Sequence, residues 1–137
     1  MVKYLIGEKG TGKTKKLIEI ANTAAHSTDG NLVFIDDDPR HMYSLHRSVR
    51  FVETTGYHLV GYSEFLGFIC GILSQNSDIV EIFIDGLTNI VGPLGPEEFI
   101  SFTQRLEELS KENSVEFIIT NNMPLEAFPK ELGDRLM

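Results

Sequence analysis

Cysteine is nearly absent from this 137-residue chain: Cys70 is the single example, and it stands in an apolar stretch. A disulfide framework within the chain is excluded, and so is a cysteine-rich zinc site. The lone thiol points to a reducing compartment. No signal-peptide pattern is visible either, because Met1 leads straight into strand-like residues. Long hydrophobic runs are missing. The longest, Phe65 to Leu73, falls well short of the roughly 20 residues that a spanning helix needs. These features together give a cytoplasmic protein as the expectation. Positive charge is scarce, with 12 Lys and Arg against 20 Asp and Glu for a net charge of −8. That balance argues against non-specific binding to nucleic acid or to an anionic membrane. No repeat, low-complexity tract or linker interrupts the chain. Residues 1–137 are therefore expected to form one domain, sized for one five-stranded α/β core with no separate lid.

What the chain does have is a glycine-rich stretch near its start: Gly7-Glu8-Lys9-Gly10-Thr11-Gly12-Lys13-Thr14. It matches G-x-x-x-x-G-K-[ST], the Walker A or P-loop pattern. The glycines let the backbone bend so that successive N–H groups point inward at phosphate oxygens. Lys13 supplies an ammonium for the β- and γ-phosphates, and Thr14 a hydroxyl for Mg²⁺. The helix expected from about Lys13 turns the positive end of its dipole toward the same phosphates. Context agrees with the motif. Val2-Lys3-Tyr4-Leu5-Ile6 reads as a strand entering Gly7, and Leu17, Ile18, Ala21, Ala24 and Ala25 follow at helical spacing.

Further along, Leu32-Val33-Phe34-Ile35 is a continuous apolar run of the kind a buried parallel strand shows. It ends in Asp36, Asp37 and Asp38. Pro39 is expected to open a helix with Met42, Leu45 and Val49 on one side. Arg50 to Thr54 reads as a third strand, and Ser63 as the N-cap of a helix reaching Gln75. Gly67 and Gly71 could let that helix pack close to a neighbour, but a plain buried helix is the preferred reading. Ile82-Phe83-Ile84-Asp85 reads as strand four, Gly86 to Gly95 as a loop, and Pro96 as the start of the longest helix. Val115 to Thr120 is strand five, with Asn121-Asn122 at its end and a short segment from Pro124 to Leu132 closing the chain. Strands alternating with helices imply an α/β fold: a mostly parallel five-stranded sheet with helices on both faces.

Ligands of open α/β sheets sit at the carboxyl ends of the strands. Four of the five expected strands end there in polar groups: the P-loop, the three aspartates, Asp85 and Asn121-Asn122. Asp85 after an apolar run fits Walker B, a carboxylate that holds Mg²⁺ directly or through water. Its plain alternative is a turn-initiating Asp before Gly86. Asn121 and Asn122 suit orienting a water or sensing a γ-phosphate, with loop and helix-cap chemistry ahead of Pro124 as the alternative. Asp38 can cap the helix at Pro39, and Asp36 can pair with a neighbour. Asp37 has no local structural task, so it ranks first and Asp38 second as the catalytic carboxylate. Arg40, Arg47 and Arg50 lie with His41 and His46 in the expected helix, the three arginines near one face, either as a solvated basic face or as a contact for a subunit, nucleotide or partner.

In these residues the sequence resembles P-loop NTPases of the RecA-like kind. In that group Walker B ends in Asp and a small residue, here Asp85-Gly86, and the water-activating carboxylate follows strand two. The resemblance implies a three-layer P-loop fold, binding of ATP or GTP with Mg²⁺, and hydrolysis by in-line attack of water. Residues Gly7 to Thr14 and Asn121 would bind nucleotide, Thr14 and Asp85 would serve the metal, and Lys13 with Asp37 or Asp38 would serve catalysis. ATP is favoured over GTP, since no guanine-reading motif is evident. The chain departs from the family in three ways: Asp stands in place of Glu as the candidate base, little follows strand five, and no trans-acting Arg is evident there. Slow hydrolysis is the expectation, with a nucleotide-dependent binding module or assembly subunit as the rival reading. A small-molecule kinase ranks lower, for want of an Arg-rich insertion to act as a lid. A second copy of the chain or a protein partner is expected to complete the charge at the site.

Overall fold

Runs of apolar, largely β-branched and aromatic residues take the strand positions, and the helical patterns fill the spaces between them. The computed structural model describes residues 1–137. Its strands are β1 (Val2–Gly7), β2 (Asn31–Asp36), β3 (Val49–Glu53), β4 (Ile79–Ile84) and β5 (Glu116–Asn122). Every neighbouring pair is parallel, in the order β1-β5-β4-β2-β3. The helices are α1 (Lys13–Ser27), α2 (Gly61–Gln75), α3 (Leu87–Val91) and α4 (Pro96–Asn113).

Alternation along the strands divides the core into two layers. Phe34, Phe83 and Ile118 face α1, which buries Leu17 and Ala21 against them. Val33, Ile35, Ile82, Ile84, Phe117 and Ile119 face the other way, toward Phe65 and Ile69 of α2, Leu87 of α3, and Phe99 and Phe102 of α4. Chain direction explains the split. From β1 the chain crosses over β5 and β4 to reach β2 and steps outward to β3, then returns past β2 to β4 and on to β5. Right-handed crossovers running in opposite directions must lie on opposite faces. No helix is long and apolar enough to cross a membrane.

Several expectations need correction. The segment after Pro39 is a 3₁₀ helix, Pro39–Ser44, and Val49 already belongs to β3. This segment buries none of its residues, so it has no apolar face to hold it as an α-helix. Gly86 to Gly95 is not all loop, because α3 lies within it and buries Leu87, Ile90 and Val91. Ser63 is not the cap of α2. The helix begins two residues earlier, and Glu64 Oε1 accepts the Val60 N–H at 2.8 Å. Gly67 and Gly71 make no close approach, since a Cβ built at either meets nothing within 4 Å, which agrees with the plain helix preferred there. Asn121 and Asn122 lie inside β5. The closing segment forms two 3₁₀ turns, Leu125–Ala127 and Lys130–Arg135. Beyond them Leu136 bridges to Tyr4, and the Met137 N–H donates to the Tyr4 carbonyl at 3.0 Å, against the outer edge of β1.

Phe102 anchors the three-helix layer. It is fully buried, stacks on Phe65 at 6.1 Å and meets the Tyr62 ring edge-on at 6.2 Å. Phe102→Ala is expected to cost about 3–5 kcal/mol, measured as a lower urea midpoint at unchanged m-value. A loss below about 1 kcal/mol would mean that α4 is not held through this ring.

Candidate functional site

The carboxyl ends of β1, β2, β4 and β5 surround a cleft of about 410 Å³ whose 15 lining residues include no hydrophobic one, so it suits a polar ligand. Its floor is the glycine loop between β1 and α1. Gly10 and Gly12 have φ of 86° and 84°, a left-handed conformation that a side chain would strain. The Thr11 hydroxyl donates to the Glu8 carbonyl at 2.8 Å and holds the turn closed. Lys13 lies across the loop, its ammonium donating to the Glu8 carbonyl at 2.7 Å and to Thr11 Oγ1 at 3.3 Å. Burial holds the Lys13 pKa below its ordinary value, against the opposing pull of Asp85 and Glu8. Gly12 gives α1 no side-chain cap, and the first turn carries no acid. Instead Lys13, Lys15 and Lys16 stand there, at the end of the dipole that repels cations. Lys9 lines the cleft from the loop, and Gly7 ends β1 beneath it.

Thr14 and Asp85, 71 residues apart, meet directly. The Thr14 hydroxyl lies 3.0 and 3.1 Å from the two carboxylate oxygens. Asp85 follows β4 and is buried. Its N–H donates to the Ile35 carbonyl at 2.9 Å, and its Oδ1 accepts the Thr120 hydroxyl of β5 at 2.7 Å. Thr120 in turn accepts the Gly86 N–H at 2.8 Å.

The three aspartates after β2 have separate surroundings. Asp36 is 1% exposed. Its Oδ1 accepts the Asp38 N–H at 3.0 Å, and its Oδ2 lies 2.5 Å from His41 Nδ1. Asp38 caps the 3₁₀ helix by accepting the Arg40 N–H at 3.0 Å, and it pairs with the Arg40 guanidinium at 2.7 Å. Arg40 holds its carboxyl well below the usual carboxylate range. Asp37 lines the cleft, half-buried, and makes no side-chain hydrogen bond within the chain.

Two expected positions are corrected. Asn121 does not line the cleft. Its Oδ1 accepts the Thr88 N–H at 3.1 Å and the Thr88 hydroxyl at 2.9 Å, so its task is to hold the start of α3. With β5 extended through residue 122, strand alternation sends Thr120 and Asn122 into the cleft instead. Arg40, Arg47 and Arg50 do not share a helix face. Arg40 is in the 3₁₀ helix, Arg47 in the turn before β3, and Arg50 in β3, where it borders a separate, partly apolar cavity of about 770 Å³.

The residue that sequence reasoning missed is His41. Read as part of a basic helix, it instead enters the cleft, with Nδ1 also 3.8 Å from Asp85 Oδ2. A usable signal was present: Asp36 and His41 flank a Pro-opened turn, which folds the chain back on itself. Burial pushes the Asp36 pKa up to about 7, and the nearby Asp85 charge adds to this, against the His41 and Asp38 hydrogen bonds. Burial opposes the His41 charge, but the hydrogen bond and charge of Asp36, with Asp85 and Asp38, outweigh it and raise its pKa. No protein-family model matches the chain, and no curated protein matches it.

Stability carries the mark of this pair. Folding raises the Asp36 pKa from 3.8 to about 7, so the folded state holds that proton more tightly than the unfolded chain does. The resulting stabilisation is complete below about pH 4 and is lost as pH climbs through 7. The raised His41 pKa acts in the same sense, its contribution fading as pH passes above its ordinary 6.5. Asp36→Asn keeps the shape and removes the titration. In chelator-treated buffer, the stability of the wild type relative to this variant is expected to fall steadily from about pH 4 to about pH 8. Urea midpoints that differ by the same amount at every pH would show that Asp36 does not titrate in this window.

Proposed function

We propose that this chain is a RecA-like P-loop domain that binds a nucleoside triphosphate, ATP in preference to GTP, together with Mg²⁺, and hydrolyses it slowly. The observation that carries the reading is the convergence, in one polar cleft, of the left-handed glycine loop, Lys13, the uncapped start of α1 and the Thr14–Asp85 pair. A helix start with no cap, no acid and three lysines is electrostatically costly by itself. A polyphosphate offsets that cost with the anion the dipole favours. The position of β5 between β1 and β4 supports the reading too, because it brings Thr120 and Asn122 between the loop and Asp85.

Thr14 and Asp85 offer hard oxygen donors, which suit Mg²⁺. They would hold the ion, which when bound neutralises charge on the phosphates. The loop amides bind and orient the phosphate oxygens, and Lys13 exchanges the Glu8 carbonyl for a phosphate oxygen. Asp37, the cleft carboxylate free of structural partners, orients the attacking water and accepts its proton. Asp is shorter than Glu by roughly one C–C bond, about 1.5 Å, so Asp37 reaches less far and turnover is slow. A rival reading, a nucleotide-dependent binding module with little turnover, draws on the commitment of Asp38 to its cap and to Arg40, which leaves one free carboxylate.

Calorimetric titration with ATP, GTP and ADP, each with and without Mg²⁺, tests the binding. Lys13→Ala is expected to weaken Mg-triphosphate binding by roughly tenfold or more, the scale of one charge-assisted contact, with the thermal midpoint unchanged. Wild-type affinity in that variant would remove the phosphate-cradle reading.

Hydrolysis separates the aspartates. Asp37→Asn is expected to slow phosphate release with nucleotide affinity and stability nearly unchanged. Asp38→Ala is expected to cost about 0.5–2 kcal/mol of stability through the lost cap, with turnover falling less. An Asp37→Asn protein that hydrolyses at the wild-type rate would reject Asp37 and favour the binding module.

A further inference from the structure

We propose that Asp36, His41 and Asp85 form a transition-metal centre, one that takes a dication of the Mn²⁺ or Zn²⁺ class through two carboxylate oxygens and one imidazole nitrogen. The centre shares Asp85 with the triphosphate site proposed above but does not depend on that reading. One donor atom from each residue lies within 4.8 Å of the other two. With bonds of about 2.1 Å, ligand atoms around an octahedral ion stand about 3.0 Å apart when adjacent and about 4.2 Å apart when opposite, and around a tetrahedral one about 3.4 Å apart. Asp36 Oδ2 and His41 Nδ1, at 2.5 Å, need to part by only about half an ångström to admit an octahedral ion. The Asp85 Oδ2 to His41 Nδ1 distance of 3.8 Å already lies between the two octahedral limits.

Orientation favours the same conclusion. Each carboxylate has its Oδ1 pinned by a donor from the chain: the Asp38 N–H at 3.0 Å for Asp36, and the Thr120 hydroxyl at 2.7 Å for Asp85. The Oδ2 of Asp36 is thereby turned onto the imidazole nitrogen, and that of Asp85, which also accepts the Thr14 hydroxyl at 3.0 Å, lies 3.8 Å from the same nitrogen. Outer hydrogen bonds of this kind fix the ligands of metal centres. The far side of the ring faces Asp38, with Nε2 3.9 Å from its Oδ2, so Nδ1 is the nitrogen presented inward.

Charge supplies the driving force. Asp36 and Asp85 are 1% and 5% exposed, and two buried carboxylates this close repel each other in a medium that screens poorly. A dication matches their combined formal charge. His41 is 29% exposed at its side chain, so an ion can reach the cluster from the open cleft. The nitrogen decides the class of metal. Mg²⁺ favours an all-oxygen shell, whereas imidazole suits first-row transition dications.

The test uses chelator-stripped, nucleotide-free protein. Calorimetry with Mn²⁺, Zn²⁺ and Mg²⁺ is expected to show one equivalent of Mn²⁺ or Zn²⁺ bound at least about tenfold more tightly than Mg²⁺. Pulsed electron paramagnetic resonance of the Mn²⁺ complex is expected to show imidazole nitrogen coupling that disappears in His41→Gln. Should His41→Gln fail to fold, Asp36→Asn replaces it, with a loss of Mn²⁺ affinity of roughly tenfold or more expected. Lys13→Ala keeps Mn²⁺ binding whether or not it loses triphosphate, so failure of one site is distinguishable from failure of the other. Equal affinity for Mn²⁺ and Mg²⁺, a wild-type spectrum without nitrogen coupling, or coupling that persists in His41→Gln would each overturn the proposal.

Discussion

The buried carboxylate of Asp85 is the constraint on which the rest of the cleft depends. It stands at the end of β4 and takes hydrogen bonds from Thr14 at the start of α1 and from Thr120 of β5. Three elements that are far apart in sequence are thus fixed to one group. A carboxylate withdrawn from water costs free energy unless donors satisfy it, so these hydroxyls hold the side chain and are held by it. The glycine loop inherits its position from this knot, because α1 cannot shift without moving Thr14.

Topology supplies the second level of order. By placing β5 between β1 and β4, the sheet separates the loop strand from the strand bearing Asp85 by one strand width. The intervening strand contributes Thr120 and Asn122 to the gap. The crossover rule then sends α1 alone to one face and α2, α3 and α4 to the other, which explains why the larger apolar layer lies away from α1.

Much of this was legible in the sequence because the signals were local. The glycine loop, the apolar run before Asp85 and the parallel-strand pattern each declare themselves within about ten residues, the span over which periodicity can be read. Asp38 as a cap before Pro39 was equally local, and the structure keeps it in that role. The misreadings have physical causes. At five residues, α3 is too short to display a helical period. A β5 that ends at Thr120 leaves Asn121 at the strand end, facing the cleft. Extending the strand by two residues lets the period of two assign the faces, and it turns Asn121 away. His41 required knowing that the segment after Pro39 winds as a 3₁₀ helix. At an α-helical pitch the ring would take another direction. Its nearness to Asp85, 44 positions later, is a tertiary fact that no local pattern encodes.

The closing residues of the chain, paired with the middle of β1, also affect how copies of the molecule can meet. An uncovered strand edge is a template on which another strand can add. Leu136 and Met137 already occupy that role at Tyr4, so sheet growth is left to the opposite margin at β3. The sheet therefore has a closed side and an open side. The glycine loop leaves the closed side, four strand spacings from the open one, or roughly 19 Å at the usual separation between strands. A neighbour that joined at β3 would lengthen the sheet while staying remote from the glycine loop. A group that such a neighbour supplied to that loop would have to come over the rim of the cleft.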